Sequence, residues 1–295
     1  MRVLVTGGAG FIGSNLVDEL VKTHHVTVVD NLSTGKRENI NPKAEFLYGD
    51  ISDRRFVDSL PVRDVVFHTA ALARIQPSIK DPIPPHDANV NGTLNMLEYC
   101  RRGSKMIFSG SSSVFKGDKL PTDEHSTISP KNPYALQKWI CEQYIHLYHR
   151  LYGLDCAILR YFNVYGERQL TEGSYATVLG IFLKAKSEGE PMQITGDGEQ
   201  RRDFTYVGDV VAANIAAITW RGTFNIGRGK NYSVNEIADI IGGEKRYIPA
   251  RPGEVRQTLC DNSKAKKYGW KPTTEVDQWL ASLSRQGLTN TSKKP

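Results

Sequence analysis

The sequence predicts an α/β protein: a doubly wound parallel sheet with a smaller, discontinuous C-terminal α/β lobe. Three observations predict it. Through the first half of the chain, short apolar runs alternate with amphipathic stretches, the pattern of a parallel sheet covered by helices on both faces. The first apolar run passes directly into three evenly spaced glycines, Gly7, Gly10 and Gly13, a strand-turn-helix junction of Rossmann type. After about residue 165 the alternation loosens while apolar runs continue, so a second unit is expected there.

The elements follow in order. Val3-Leu4-Val5 marks a buried strand at 2–6, and Phe11, Ile12, Leu16, Val17 and Leu20 recur at helical spacing to give a helix near 11–22. Val26-Thr27-Val28-Val29 gives the next strand, 25–30, ending at Asp30. Further strands are expected at 44–48, 64–68, 105–109 and 155–161, and further helices near 53–60, 87–102 and 132–152. Beyond them, 171–175 reads as loop, 177–189 as helix and 190–195 as strand. The pattern predicts another helix at 207–220, a strand at 223–227 and a short helix at 234–241. Residues 1–166 with about 203–228 are expected to form the Rossmann domain. About 167–202 and 229–288 would form the second lobe, and 289–295 a frayed tail.

Composition narrows the function. The chain has 295 residues and a formal charge of +6. Its basic residues form short pairs and triplets, such as Arg54-Arg55, Arg101-Arg102 and Lys264-Lys266-Lys267, without interleaved aromatic residues. They read as solvated helix faces, so no nucleic acid is expected as a partner. The mild positive charge suits an anionic substrate. Cys100, Cys141, Cys156 and Cys260 are far apart, which implies no metal site and a reducing, cytoplasmic setting. No apolar run approaches membrane-spanning length, and with a strand expected from residue 2 no signal peptide is expected.

The glycine turn carries the first chemical signal. Gly7 permits a tight turn, Gly10 lets a phosphate approach backbone N–H groups, and Gly13 lets the helix pack against the strand. The helix N-terminus adds about half a positive charge facing a diphosphate. A glycine trio alone is weak, since many such turns carry glycines for geometry only. Asp30 strengthens it, because an acid at the end of the second strand bonds both adenosine ribose hydroxyls and repels a 2′-phosphate. The expected cofactor is therefore NAD rather than NADP.

The second signal is Pro133-Tyr134-Ala135-Leu136-Gln137-Lys138. On a helix, Tyr134 and Lys138 lie one turn apart on one face. An ammonium and an oxidised nicotinamide nearby lower a phenol's pKa, so Tyr134 can act as a general base near neutrality. Upstream, Phe108-Ser109-Gly110-Ser111-Ser112-Ser113 supplies hydroxyls at a strand end. Such a Tyr/Lys spacing is common by chance; its place after the glycine turn, Asp30 and the serines gives it weight.

With these residues in hand, the chain resembles the extended short-chain dehydrogenase/reductases, and among them the NAD-dependent UDP-sugar 4-epimerases, from Met1 to about Trp270. Thr6 to Gly13, with Phe11 and Ile12, is similar to the family's cofactor turn. Asp30-Asn31-Leu32-Ser33-Thr34-Gly35 resembles its adenosine-ribose loop, Gly49-Asp50-Ile51 its adenine clamp, and His68-Thr69-Ala70-Ala71 the segment over the cofactor. Asn89-Val90-Asn91-Gly92-Thr93 resembles its central helix. Ser111, Tyr134 and Lys138 fall on the catalytic positions. Arg160-Tyr161-Phe162-Asn163-Val164-Tyr165-Gly166 looks like the nicotinamide and diphosphate strand. Arg202 and Arg251 fall on the two diphosphate arginines, the latter opening Arg251-Pro252-Gly253-Glu254.

The resemblance implies cofactor contacts from Gly7, Gly10, Phe11, Ile12, Gly13, Asp30, Asn31, Ser33, Gly35, Asp50, Ile51, Ala70, Ala71, Lys138 and Phe162. It implies substrate contacts from Ser111, Ser113, Tyr134, Asn163, Arg202, Arg251, Glu254 and Thr258, the last beside the sugar's 2-substituent. Four departures stand out. Relatives read YGxSK and VYG where this chain has Tyr134 to Lys138 and Val114-Phe115-Lys116-Gly117. A lysine of some galactose epimerases is Ala73 here, so that cofactor contact is expected to be absent, with Arg74 next door as a partial replacement. Related 4,6-dehydratases carry Asp-Glu where Ser112 and Ser113 stand, which removes the acid and base that dehydration needs.

The implied activity is C4 epimerisation of UDP-glucose and UDP-galactose, with the N-acetylated pair accepted because Thr258 is small. A UDP-uronate 4-epimerase, a nucleotide-sugar reductase and a non-catalytic NAD sensor remain open alternatives. A homodimer is implied through helices 87–102 and 132–152, with Leu94, Leu97, Ile140, Tyr144, Leu147 and Leu151 as apolar stripes.

Overall fold

The computed structural model describes residues 1–250, 253 and 255–285. The chain opens with β1 (Arg2–Thr6), α1 (Phe11–Leu20), β2 (His25–Asp30), β3 (Glu45–Tyr48), α2 (Arg54–Ser59) and β4 (Val65–His68). Then come α3 (Ile75–Lys80), α4 (Ile83–His86), α5 (Gly92–Cys100), β5 (Lys105–Ser111), α6 (Pro133–Tyr152) and β6 (Cys156–Tyr161). The seven-stranded sheet runs β11-β6-β5-β4-β1-β2-β3, where β11 is Gly222–Ile226. Its strand pairs are all parallel. The order reverses between β1 and β4, and ligands of open α/β sheets bind outside the strand ends at such a switch.

Strand alternation builds the core on two faces. Val3 and Val5 of β1 join Leu16, Val17, Val28, Phe67 and Phe224 on one face, under α1 and the later helix α8. Leu4 points the other way, with Val66, Met106, Phe108 and Ile158, against α2, α5 and α6.

The remaining elements are β7 (Val164–Tyr165), α7 (Val178–Glu188), β8 (Met192–Thr195), β9 (Arg201–Asp203), β10 (Thr205–Tyr206) and α8 (Val207–Ala216). After β11 follow β12 (Asn231–Ser233), α9 (Val234–Ile241), β13 (Lys245–Ile248), α10 (Ser263–Lys267) and α11 (Val276–Arg285). Short paired strands replace the long sheet here: β7 with β10, β9 with β12, β8 with β13. Their core is separate and holds Tyr165, Leu179, Phe182, Ile194, Ile237 and Trp279.

Two differences from the sequence expectations have local causes. The helix expected near 87–102 starts earlier and carries a wide π turn over Asp87–Asn91. There the Asn89 carbonyl accepts from Thr93 Oγ1 (2.5 Å) and Cys141 Sγ (3.2 Å). No helix is read from the sequence at Ile75–Lys80, where α3 forms; Pro77 sits in its first turn, where a missing N–H costs nothing.

Candidate active site

The cleft begins where β1 ends. Gly7 has φ +71°, and a Cβ there would lie 2.7 Å from the Ala70 backbone. A Cβ on Gly13 would lie 2.2 Å from the Gly7 carbonyl oxygen. Turn, helix and β4 loop therefore touch backbone to backbone. The N-terminus of α1 has no side-chain cap, unlike α2, α6 and α7, capped by Asp53, Asn132 and Thr177. Its orphan N–H groups are left for a ligand.

Asp30 locks this turn. Its carboxylate accepts from Ala9 N (3.0 Å) and Leu32 N (2.8 Å). Burial holds its pKa above the ordinary value, against those two hydrogen bonds. Beside it, Asn31 Nδ2 donates to Asp50 Oδ2 (2.8 Å). Burial opposes ionisation of Asp50, but hydrogen bonds from Ser52 and Asn31 outweigh it and hold its pKa low. Gly7, Gly10, Phe11, Ile12, Gly13, Asp30, Asn31, Ser33, Asp50, Ile51, Ala70 and Ala71 all line one cleft. It encloses about 1020 Å³, its mouth included. Gly35 is not on that lining; a Cβ there would press on Ala9, 2.9 Å away, so it supports the turn from behind. Phe162 is not on it either. It is 1 % exposed and sits in a small core with Val114, Phe115 and Cys260.

The reactive end is set by α6. Asn132 Oδ1 caps it by accepting from Ala135 N (2.9 Å), with Pro133 at the first position. Tyr134 and Lys138 follow one turn apart. Lys138 Nζ donates to Ser109 O (2.9 Å) and lies 4.8 Å from the Phe108 ring centroid; burial lowers its pKa. A turn further on, Glu142 forms a fully buried ion pair with Arg160 (2.6 Å). His68 is wired between Thr6 Oγ1 (2.7 Å) and Thr93 Oγ1 (2.9 Å). Burial and Lys138 push its pKa to about 3, so it stays neutral.

Ser111 sits at the end of β5, its Oγ 2.9 Å from Ser113 Oγ, on the side where its hydroxyl favours the ionised Tyr134 phenol. Burial raises the phenol pKa; Ser111 and the Arg74 guanidinium pull it down. Lys138 was expected to supply the lowering charge. Among the described residues, the charged side chain that does so is Arg74.

A third cluster joins distant loops. Asn163, at φ +24°, donates from Nδ2 to Asp203 O (3.0 Å) and Thr258 Oγ1 (3.2 Å). The Thr258 hydroxyl also accepts from Asp203 N (3.1 Å). Arg202 donates to Arg201 O (3.0 Å) on the same strand. The Asp203 carboxylate receives N–H bonds from Arg228, Gly229 and Cys260. Burial nevertheless pushes its pKa up to about 6. Arg251 and Glu254 lie outside the described residues.

The sequence matches the profile of the NAD dependent epimerase/dehydratase family over residues 3–227. It is 45% identical to a Methanocaldococcus jannaschii protein described as a candidate UDP-glucose 4-epimerase, covering 94% of this chain and 95% of that one. The chain belongs to this epimerase/dehydratase family. The fold agrees. A Thermotoga maritima UDP-glucose 4-epimerase solved with UDP-glucose superposes with a TM-score of 0.92 at 40% identity, over 98% of this chain and 100% of that one. A Methanobrevibacter ruminantium UDP-N-acetylglucosamine 4-epimerase, solved with UDP-N-acetylmuramic acid, gives 0.90 at 38% identity, over 95% of each.

The family's cofactor is NAD, and the cradle fits it. The glycine turn admits no Cβ at Gly7 or Gly13, the α1 N-terminus is uncapped, and an acid stands at the end of β2. Departures from the family motifs have structural reasons. Gln137, where relatives carry serine, is buried; its Oε1 accepts from Asn89 Nδ2 (2.9 Å) and its Nε2 donates to Pro82 O (3.3 Å). It pins α6 to the turn before the π segment. Phe115, where relatives carry tyrosine, stacks under Arg160, 4.8 Å from ring centroid to guanidinium. Sequence reasoning missed Leu170, Tyr175 and Thr177, which complete the cleft from a loop with no motif.

Proposed function

We propose that this chain epimerises UDP-sugars at C4, interconverting UDP-glucose and UDP-galactose and accepting the N-acetylated pair, through a transient 4-keto sugar. One observation carries the reading: Tyr134 and Lys138 share one face of α6, Lys138 Nζ is bonded to the Ser109 carbonyl near the end of β5, and β5 ends on the same edge of the parallel sheet as the glycine turn after β1 and Asp30 at the end of β2. NAD bound in the cradle supplies the hydride acceptor and, later, the donor. Tyr134 Oη takes the proton of the sugar 4-hydroxyl and returns it to the same oxygen in the second half-reaction. Ser111 Oγ hydrogen-bonds that oxygen, and Ser113 holds Ser111 in place. Lys138 holds the nicotinamide ribose. Asn163, Arg202 and Arg251 anchor the nucleotide diphosphate, with arginine–phosphate pairing as the main attraction. The anchored keto sugar can then turn its other face to the cofactor. Ser112 and Ser113 supply no carboxylate for a second acid–base step, so hydride returns to the carbon it left.

The reading extends to assembly and location. The chain works as a homodimer, supported by an apolar stripe on α6: Leu136, Leu147 and Leu151 are exposed, Leu151 by 62 %. Leu97 does not belong to that stripe, since it is fully buried against the sheet. Ile140, Tyr144 and Leu94 lie between, partly packed on the core. Light scattering reports the dimer, and Leu147→Glu with Leu151→Glu should shift it to monomer. A cytoplasmic location is consistent with four free, buried cysteines. Among the described residues no helix is long and apolar enough to cross a membrane. Residues 1–166 with about 203–228 form the cofactor domain, and the flanking segments, as far as they are described, the sugar-nucleotide lobe; its expected end near 288 and the tail at 289–295 lie outside the described residues. Incubating the protein with UDP-galactose, UDP-N-acetylgalactosamine and UDP-galacturonate, and separating the products, tests the reading. The neutral pairs should interconvert without net NADH. Stoichiometric NADH, or turnover of the uronate alone, would overturn it.

A further inference from the structure

Residues 167–177 join β7 to α7 and have no part in the mechanism above. Leu170, Tyr175 and Thr177 nevertheless line the cofactor cleft together with Gly7, Asp30 and Arg74. The segment is bonded to both sides of the crevice. At its start, Asn15 Nδ2 of α1 donates to the Glu167 carbonyl (3.0 Å), and Arg168 pairs with Asp18 of the same helix. Near its far end, the Tyr175 carbonyl accepts from Arg74 Nε (2.7 Å), 101 residues earlier in the chain. Helix α1 follows β1, and Arg74 stands in the loop after β4. Those two strands are neighbours where the sheet order reverses, which is where a dinucleotide lies in such a fold. A segment held by both sides of that crevice, and lining it, bridges it.

The bridge is stiffened from within. Thr177 N donates to Leu170 O (3.1 Å), and the Thr177 hydroxyl lies 2.8 Å from Gln169 Oε1. The same hydroxyl caps α7 by accepting from Gly180 N (2.9 Å). A Cβ on Gly180 would lie 2.3 Å from Leu170 O, so the loop is seated directly on the start of the helix. Through Leu179 and Phe182, α7 packs into the core of the second lobe. Tyr206 and Trp279 of that lobe both donate to the Glu167 carboxylate (2.9 Å each). The segment is therefore a closed loop rooted in the second lobe, with its outlying anchors on α1 and at Arg74.

We propose that residues 167–177 form a strap over bound NAD, latched by Arg74 to the Tyr175 carbonyl and by Asn15 to the Glu167 carbonyl, and that the strap keeps the cofactor in place. An arginine suits the main latch, because a charged donor bonds a carbonyl more strongly than a neutral one does. Retention matters to a redox-neutral reaction, since loss of the reduced cofactor midway would strand the keto sugar. The strap itself requires only NAD in the cleft, whichever sugar is turned over.

The test compares the NAD-loaded protein in three forms: unchanged, Arg74→Met and Asn15→Ala. Two quantities are read. One is the rate of NAD release, followed as NADH formed by excess alcohol dehydrogenase and ethanol. The other is backbone hydrogen exchange, peptide by peptide. Arg74→Met keeps the length of the side chain and removes its donors. It should speed release about tenfold or more, the effect of losing one charge-assisted hydrogen bond. Asn15→Ala removes a neutral bond and should speed release about threefold. In both variants the amides of 170–177 should exchange faster, while those of β1 and α1 hold their rates. Asn15 is not on the cleft lining, so with α1 unperturbed its effect can reach the cofactor only through the strap. Release that responds to Arg74→Met alone would mean that the guanidinium acts on NAD directly, and the strap is then wrong. Release unchanged in both variants overturns it as well. Should Arg74→Met fail to fold, Asn15→Ala decides by itself, since it loosens the other anchor. No sugar nucleotide is present, so failure of the C4 epimerase reading would leave these rates as they are and show in the product analysis instead.

Discussion

The cofactor end of the cleft is made of backbone, and the reactive end of side chains. At the first, Gly7, Gly13, Ala9 and Ala70 meet through main-chain atoms, with Asp30 bonded to two N–H groups. At the second, Lys138, Ser111 and Asn163 come from three separate segments, and each is held through its functional group: Lys138 Nζ on Ser109 O, Ser111 Oγ on Ser113 Oγ, Asn163 Nδ2 on Thr258 Oγ1. The difference sets how each end fails. A backbone cradle is steric, so one added methyl group spoils it. A side-chain cluster is electrostatic, so its losses are large where a proton moves and graded elsewhere.

The sharpest break is at the reactive end. Tyr134→Phe removes the proton acceptor and leaves the ring. We expect kcat to fall on the order of 10²-fold or more, with NAD content and melting temperature unchanged. Steady-state turnover of UDP-galactose beside NAD release measures both. Near-normal turnover would show that the side-chain end is not where the proton goes.

The complementary break is in the cradle. A Cβ on Gly13 would lie 2.2 Å from Gly7 O and 2.8 Å from Thr69 Oγ1. Overfilling a packed contact typically costs about 1–3 kcal/mol, and here a backbone oxygen must give way. Gly13→Ala should therefore weaken NAD binding roughly tenfold or more, and the loss of kcat should be rescued by excess NAD. Rescue is the discriminating readout: it is expected for Gly13→Ala and not for Tyr134→Phe. An alanine variant that keeps its NAD through denaturing wash steps as the unchanged protein does would mean the turn is slack.

The same contrast explains what could be read from the chain. A backbone cradle leaves residue types at fixed spacing, because only glycine fits where a Cβ would strike a carbonyl, and so Gly7, Gly13 and Asp30 were legible. Tyr134 and Lys138 were legible because both sit on one helix. The Arg74–Tyr175 and Asn163–Thr258 contacts span 101 and 95 residues. No local pattern encodes them, and Arg74 was legible only as a partial replacement for the lysine that Ala73 lacks. Phe162 misled because its strand runs into the site while its own side chain faces the core. Likewise Leu97 has the right spacing for an outward stripe yet faces the sheet, since periodicity marks an apolar face without saying what covers it.

The smallest effect expected is at Thr258, where the side-chain end shades into loop structure. Its hydroxyl accepts from Asn163 Nδ2 and Asp203 N, so the residue holds Asn163, and its small side chain is expected to leave the sugar's 2-substituent more room than a tyrosine would. Thr258→Tyr fills that room. The N-acetylated sugars, carrying the bulkier 2-substituent, should lose more than the plain hexoses. A differential cost of about 1 kcal/mol, the low end for overfilling, corresponds to roughly a fivefold fall in the ratio of N-acetylated to plain kcat/KM. Thr258→Val separates the two roles, because it keeps the volume and removes the hydroxyl. It should lower both activities together through the loosened Asn163 and leave the ratio alone. If the ratio stays constant in Thr258→Tyr, the sugar's 2-substituent does not face this residue. If Thr258→Val changes the ratio as much as Thr258→Tyr does, the hydroxyl rather than the space is what the sugar senses.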